Sequence, residues 1–368
     1  MFMFSERVKS IDISGIRKMF EGAGPNAINL GLGQPDFDTP EHIKKAAIEA
    51  INAGFTGYTA NLGIPELRVA LCRKFESENH FTITPDEVIV TSGASEGLHL
   101  ALQALVDRGD EVLVPDPGFL SYLALTKLAG GKVVGVPLGK ELTIKPGTLN
   151  ELITSKTRAL ILNSPSNPTG SVQTRQEIKA LVEIAEDNDI IIISDEVYEH
   201  FIYEGEHVSP AQFSDNVITI NAVSKTYAMT GWRIGYVAAR KEYTEQMLKV
   251  HQYIQACANS IAQKAALAAI EGPQDCVAQM RESFRVRRDI LLNGFCEMGI
   301  KCVKPQGAFY AFPEVEDEDA PQKLRKEGVL VVPGSAFGEN GKGHIRISYA
   351  TSEGNLRRAI GVMERVLR

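Results

Sequence analysis

Short, almost uninterrupted apolar runs alternate with longer stretches of helical period through the middle of the chain. The runs lie at residues 87–91 (EVIVT), 111–114 (EVLV), 158–163 (RALILN), 190–194 (IIIIS) and 217–221 (VITIN). Runs this short and this apolar predict strands buried on both faces, hence a sheet covered by helices. Helical spacing follows at 95–106, 117–128 and 175–187. Strand, helix, strand at this spacing is the βαβ unit, so the sheet is expected to be parallel.

Beyond the breaker Glu271-Gly272-Pro273 the pattern changes. A long helical period runs from 274 to 298, and strands are expected near 308–312, 329–332 and 345–348. The division expected is a large α/β domain over 38–271 and a smaller α+β domain from 1–37 and 272–368. The acidic run 314–320 (EVEDEDA) reads as a solvated loop.

Composition narrows the classes. The 368 residues are 44% hydrophobic and 23% charged, proportions of a globular protein rather than a disordered or collagen-like one. A formal net charge of −7 disfavours nucleic acid, whose phosphates need a basic field. Five scattered cysteines (Cys72, Cys257, Cys276, Cys296, Cys302) form no C-x-x-C, so neither a disulfide framework nor a zinc site is expected. The histidines show no metal-ligand spacing either. The opening MFMFSERVKS has no secretory pattern and no run is long enough to span a bilayer. The expectation is a cytoplasmic enzyme without membrane contact.

Each apolar run hands over to a small polar cluster: TSGAS at 91–95, PDPGF at 115–119, NSPSNPTG at 163–170, SDEVY at 194–198 and NAVSK at 221–225. Each alone reads as a turn or cap. Together, at the carboxyl edge of a parallel sheet, they predict a ligand site. The 91–95 loop opens a helix, where free N–H groups and the helix dipole attract an anion, and Arg233 offers a bidentate fork to the same group. Lys225 beside apolar neighbours is suited to lose its proton and form imines. Asp195 suits a protonated ring nitrogen, and Tyr198 a ring oxygen. A phosphate, a carbonyl and a basic ring nitrogen describe pyridoxal 5′-phosphate (PLP).

With these residues in place, the sequence resembles the class I aminotransferases of PLP fold type I, in the aspartate and aromatic branch. The likeness covers nearly the whole chain. Besides the clusters above, it is carried by GLGQPDF at 31–37, Tyr58, GIPELR at 63–68, SK at 224–225, GWRIG at 231–235, GAFY at 307–310 and RISYATS at 346–352. The resemblance implies a mostly parallel seven-stranded sheet sandwiched by helices, with a smaller α+β domain. It implies that Lys225 forms the covalent imine with PLP, that Asp195 pairs with the pyridine nitrogen, and that Tyr198 and Asn167 hydrogen-bond the ring oxygen. Phe119 would stack on the ring; Ala94, Ser95, Ser224 and Arg233 would hold the phosphate. Tyr58 would reach the phosphate of the partner subunit in a homodimer. Arg346, with Asn167 and Gly33, would hold the substrate α-carboxylate. The implied activity is ping-pong transfer of an amino group from an L-amino acid to a 2-oxoacid such as 2-oxoglutarate.

Some positions depart from the family pattern. Ala222 stands where Ser or Gly is common, removing one phosphate hydroxyl. Ser95 is not a cation, and residues 251–263 (HQYIQACANSIAQ) contain no Arg or Lys to hold a distal carboxylate. Broad donor use, aromatic side chains included, is therefore expected, unless Arg17 or Lys18 supplies the charge. Gly15 and Ile16 belong either to a flap over the substrate or to a plain amphipathic helix. Rival activities are a PLP-dependent β-lyase or synthase on the same fold, and a non-enzymatic binding protein with a decayed site. A nicotinamide dehydrogenase fits poorly, since Asp36 occupies the third glycine position after Gly31 and Gly33.

Overall fold

The computed structural model describes residues 4–11, 24 and 26–367. Among these, the apolar runs build a seven-stranded sheet: β1 (Val88–Thr91), β2 (Glu111–Asp116), β3 (Lys132–Pro137), β4 (Thr157–Asn163), β5 (Ile191–Asp195), β6 (Val217–Ala222) and β7 (Gly235–Ala238). Their spatial order is β1-β7-β6-β5-β4-β2-β3. The neighbouring pairs from β6 to β3 are parallel. Strand β7 runs antiparallel to both β1 and β6, so the sheet is mostly parallel, as the resemblance implies. The chain between β6 and β7 holds only a one-turn helix and a 3-10 turn, with no crossover helix of the kind a parallel return requires.

Successive residues of the buried strands feed opposite faces, as the pleat demands. Ile161, Ile193 and Ile218 pack with Leu98 and Leu102 of α1 (Ala94–Leu105) and Tyr122 of α2 (Leu120–Ala129). Leu160, Leu162 and Ile192 pack on the other face against Ile178, Leu181 and Val182 of α3 (Arg175–Asp187). Each such side chain contributes up to about 1.5–3 kcal/mol by leaving water. Helix α3 starts where the T-x-x-E sequence dictates. Thr174 accepts from the Glu177 N–H, and the Glu177 carboxylate accepts from the Thr174 N–H.

A second core gathers the C-terminal third. Strands β8 (Tyr310–Ala311), β9 (Val332–Pro333) and β10 (Ile345–Ser348) form an antiparallel sheet in the order β9-β10-β8. Phe284 and Leu291 of the long helix Asp275–Met298 and Leu356 of the helix Glu353–Leu367 close it. Ile28 and Leu30 join this core, and Ile28–Asn29 pairs in parallel with Val329–Leu330. Val197, Tyr198 and Phe201, which directly follow Asp195, are also buried there. The segment leaving β5 thus lies between the two cores. No helix among the described residues is long and apolar enough to cross a membrane. Gly15, Ile16, Arg17 and Lys18 lie outside the described residues.

Candidate active site

The carboxyl ends of β1, β4, β5 and β6 face a cavity of about 260 Å³. Its anion-binding pole is the start of α1. Gly93 takes φ +81°, turning the chain from β1 so that Ala94 and Ser95 line the cavity. Arg233 lies beside this turn and donates to the Thr230 and Ser92 carbonyls, both at 3.1 Å. The approach is close enough that a Cβ on Gly93 would sit 2.4 Å from the guanidinium. Gly235 brings β7 equally near, since its Cβ would meet the Gly93 carbonyl carbon at 2.5 Å. Free helical N–H groups beside a guanidinium make a phosphate-binding corner.

Across the cavity, the register of β4, β5 and β6 sets Asn163, Asp195 and Ile220 side by side. Asp195 is buried, and its carboxylate accepts from the Tyr122 hydroxyl at 2.7 Å. The Asn163 amide donates to the Asp195 carbonyl at 2.9 Å. Burial pushes the Asp195 carboxyl up to about 6, against the lowering influence of Tyr122, the Val197 N–H and Lys225. An ionised carboxylate held in such a place attracts a cationic partner.

Lys225 projects from the one-turn helix Val223–Thr226 that follows β6. Its ammonium donates to the Gly33 carbonyl at 2.7 Å. Burial and the positive charges of Arg346 and Arg233 bring it down to about 8, with Asp195 acting the other way. About a tenth of Lys225 is then neutral at pH 7, the state in which an amine attacks a carbonyl.

The far wall comes from the second core. Arg346 on β10 is 1% exposed and donates to Asn167 Oδ1 at 3.0 Å and to the Gly31 carbonyl. Its Nε is buried without a partner. The guanidinium is stacked on the rings of Tyr310 and Phe337, at 4.8 and 4.9 Å. The Asn163 side chain accepts from the Asn167 N–H at 2.8 Å, tying the 163–170 loop to the sheet edge. Phe119, at the start of α2, stands edge-on to Tyr122 at 5.6 Å. The Tyr198 and Tyr310 hydroxyls meet at 2.7 Å.

The cavity thus collects Gly33, Ala94, Ser95, Phe119, Asn167, Asp195, Tyr198, Ser224, Lys225, Arg233 and Arg346 from distant parts of the sequence. Tyr58 is not among them: it is 91% exposed on the surface of the single chain. Tyr122, Tyr310, Leu32 and Thr230 also line the cavity without having been singled out for it. Tyr310 ends the GAFY motif and Tyr122 lies one helical turn past Phe119, and those were the available signals. The residues fit PLP. A buried acid suits the ring nitrogen, a lysine with lowered proton affinity suits the carbonyl, a helix start with Arg233 suits the phosphate, and the orphaned Arg346 Nε suits a carboxylate.

Among the described residues, folding also assembles two acid–histidine clusters with no signature in the spacing: Glu78, Glu199 and His200, and Glu196, Glu199 and His207. Their oxygens already accept from Lys74, Asn79, Ser194, Ser209 and Asn221. They form a charge network bonded to Ser194 of β5 and Asn221 of β6, with Glu78 at its exposed end.

Comparison with known proteins places the chain. Residues 25–363 match the family model described as aminotransferase class I and II. A probable aspartate aminotransferase of Methanocaldococcus jannaschii is 48% identical over 99% of this chain and 100% of its own length. Aromatic-amino-acid aminotransferase 2 of Thermococcus litoralis is 41% identical over 99% of this chain and 98% of its own. The structure of aspartate aminotransferase from Thermus thermophilus with maleate superposes with a TM-score of 0.96 at 41% identity, covering 100% of both chains. The chain belongs to the class I and II aminotransferases and is a PLP-dependent transaminase.

Proposed function

We propose that this cavity carries out transamination between a broad range of L-amino acids, dicarboxylic and aromatic, and a 2-oxoacid such as 2-oxoglutarate. One observation carries the assignment of roles: Lys225, Asp195 and Arg346 line one cavity. When bound, PLP supplies an electrophilic carbonyl and a ring that delocalises the negative charge left at the substrate Cα. Lys225 would bind the cofactor carbonyl as the neutral amine and would accept the proton from the substrate Cα. Asp195, aimed by Tyr122, would stay ionised and hold a proton on the ring nitrogen. Tyr198 and Asn167 would donate to the ring oxygen, and Phe119 would cover the ring face. Ala94, Ser95, Ser224 and Arg233 would hold the phosphate. Arg346, fixed by Asn167 and Gly31, turns its free N–H groups to the α-carboxylate.

Donor breadth follows from the charges available. The cationic side chains among the described lining residues are Lys225, Arg233 and Arg346, each engaged at the reacting centre or phosphate. A second carboxylate finds hydroxyl and amide donors there, whereas Leu32, Leu98 and Phe119 offer apolar surface to a ring. The named relatives, one for aspartate and one for aromatic amino acids, support the same range. We further propose that the chain acts as a homodimer with domains over 38–271 and over 1–37 with 272–368. Five free thiols suit a reducing cytoplasm.

The test is spectroscopic and kinetic. Visible absorbance of the holoenzyme should fall on adding phenylalanine or aspartate and return on adding 2-oxoglutarate. Lys225→Ala should bind PLP without the covalent signature and lose nearly all turnover; surviving transamination would refute the role of Lys225. A preference above about a hundredfold for aspartate over phenylalanine in kcat/KM, some 2.7 kcal/mol, would refute the donor range.

A further inference from the structure

Tyr310 is a large, polar side chain at 1% exposure, and a phenol so deeply buried is held there by its hydroxyl as well as its ring. Its hydroxyl meets that of Tyr198 at 2.7 Å, and either can donate. The ring stands edge-on to Tyr198 and lies under the Arg346 guanidinium. The same hydroxyl fills the space beside Gly33, where any Cβ would come within 2.1 Å of it. Gly33 in turn offers the carbonyl that accepts from Lys225. Tyr310 therefore touches the residues proposed to serve the cofactor's ring oxygen and the substrate carboxylate.

We propose that Tyr310 is a positioning residue: its hydroxyl donates to Tyr198 so that the Tyr198 proton points into the cavity, while its ring holds the Arg346 guanidinium flat. This rests on the roles proposed above for Tyr198 and Arg346. A hydroxyl that accepts one hydrogen bond becomes a better donor of another, so Tyr310 strengthens the bond from Tyr198 to the ring oxygen. Arg346 over the ring face makes the Tyr310 phenol a stronger donor, and it favours the Tyr310 phenolate against the effect of burial. With Tyr310 in place, the ring oxygen loses negative charge to Tyr198, and the chromophore gives up its proton at lower pH. Glycine at position 33 is required for the hydroxyl to reach this spot.

The experiment compares Tyr310→Phe, Tyr198→Phe, the double variant and Tyr310→Leu as holoenzymes. The midpoint of the pH-dependent visible absorbance is recorded without substrate, and kcat and KM are measured with one amino acid. Tyr310→Phe should raise the midpoint and lower kcat about fivefold, the scale of one neutral hydrogen bond, with KM nearly unchanged. Tyr310→Leu, which also removes the ring beneath Arg346, should raise KM for the amino acid in addition. In the Tyr198→Phe background, adding Tyr310→Phe should shift the midpoint no further. An unchanged midpoint and kcat in Tyr310→Phe, with Tyr198→Phe still moving the midpoint, overturns the proposal for Tyr310 alone. A Tyr198→Phe midpoint equal to wild type overturns instead the placement of Tyr198 at the ring oxygen.

Discussion

Asp195 shows how a single residue is held in a state that only its ligand rewards. Its carboxyl rises from 3.8 to about 6 in the folded chain, chiefly through burial. A raised carboxyl pKa favours folding below pH 3.8, and that contribution is lost as pH rises through about 6. At pH 8 the buried charge therefore destabilises the apoprotein by about 3 kcal/mol. Asp195→Asn keeps an oxygen for the Tyr122 hydroxyl but cannot ionise. The variant apoprotein should melt higher than wild type at pH 8, with the difference shrinking as pH falls towards 4. It should also lose the proton on the ring nitrogen, so the first half-reaction should slow about a hundredfold or more. Equal melting temperatures at pH 8 would show that water or Lys225 already neutralises Asp195. Asp195 and Lys225 were legible because such side chains at the ends of buried strands have few other uses, whereas Arg346, inside β10, was named only through the resemblance; the three line one cavity. Tyr122 and Tyr310 were not, because an aromatic in an apolar segment looks like core until a neighbour shows where its hydroxyl goes.

Among the elements, legibility followed burial. The central-sheet strands read from sequence are those whose middle positions are almost continuously apolar and buried. Strand β3 was missed because it is an edge strand with only Val136 buried. Strand β7 was missed because four residues beginning with glycine make too short a run, and its antiparallel direction leaves no trace in spacing. Yet β7 is what presses Arg233 and Gly235 against the start of α1. A methyl at position 235 would meet backbone atoms of Gly93 and Ala94 at 2.5–2.6 Å, and backbone cannot swing aside as a side chain can. Gly235→Ala should therefore displace the first turn of α1 and weaken PLP retention by about tenfold or more, a loss of one charge-assisted hydrogen bond. Dialysis against buffer with absorbance of the retained cofactor measures it. Retention equal to wild type would mean that this corner does not hold the phosphate.

At the scale of the whole molecule, Tyr58 is the residue the single chain leaves unexplained. It is 91% exposed, with Tyr253 at 88% and Ile254 at 49% also on the surface. If Tyr58 completes the phosphate corner of a partner subunit, the two halves of one site reside on different chains. That arrangement was legible only through the resemblance, because no spacing along one chain encodes a contact between two. It predicts complementation. Tyr58→Phe homodimers should release PLP about tenfold faster, having lost one hydrogen bond to a charged group. Lys225→Ala homodimers should be inactive. In a heterodimer of the two variants, purified through two different tags, the site that keeps Lys225 receives the intact Tyr58 of its partner. Its PLP release and turnover per active site should match wild type, while the other site stays silent. Release at the Tyr58→Phe rate from the site that keeps Lys225 would place Tyr58 in its own chain's site, or outside the site altogether, and the shared active site would be wrong.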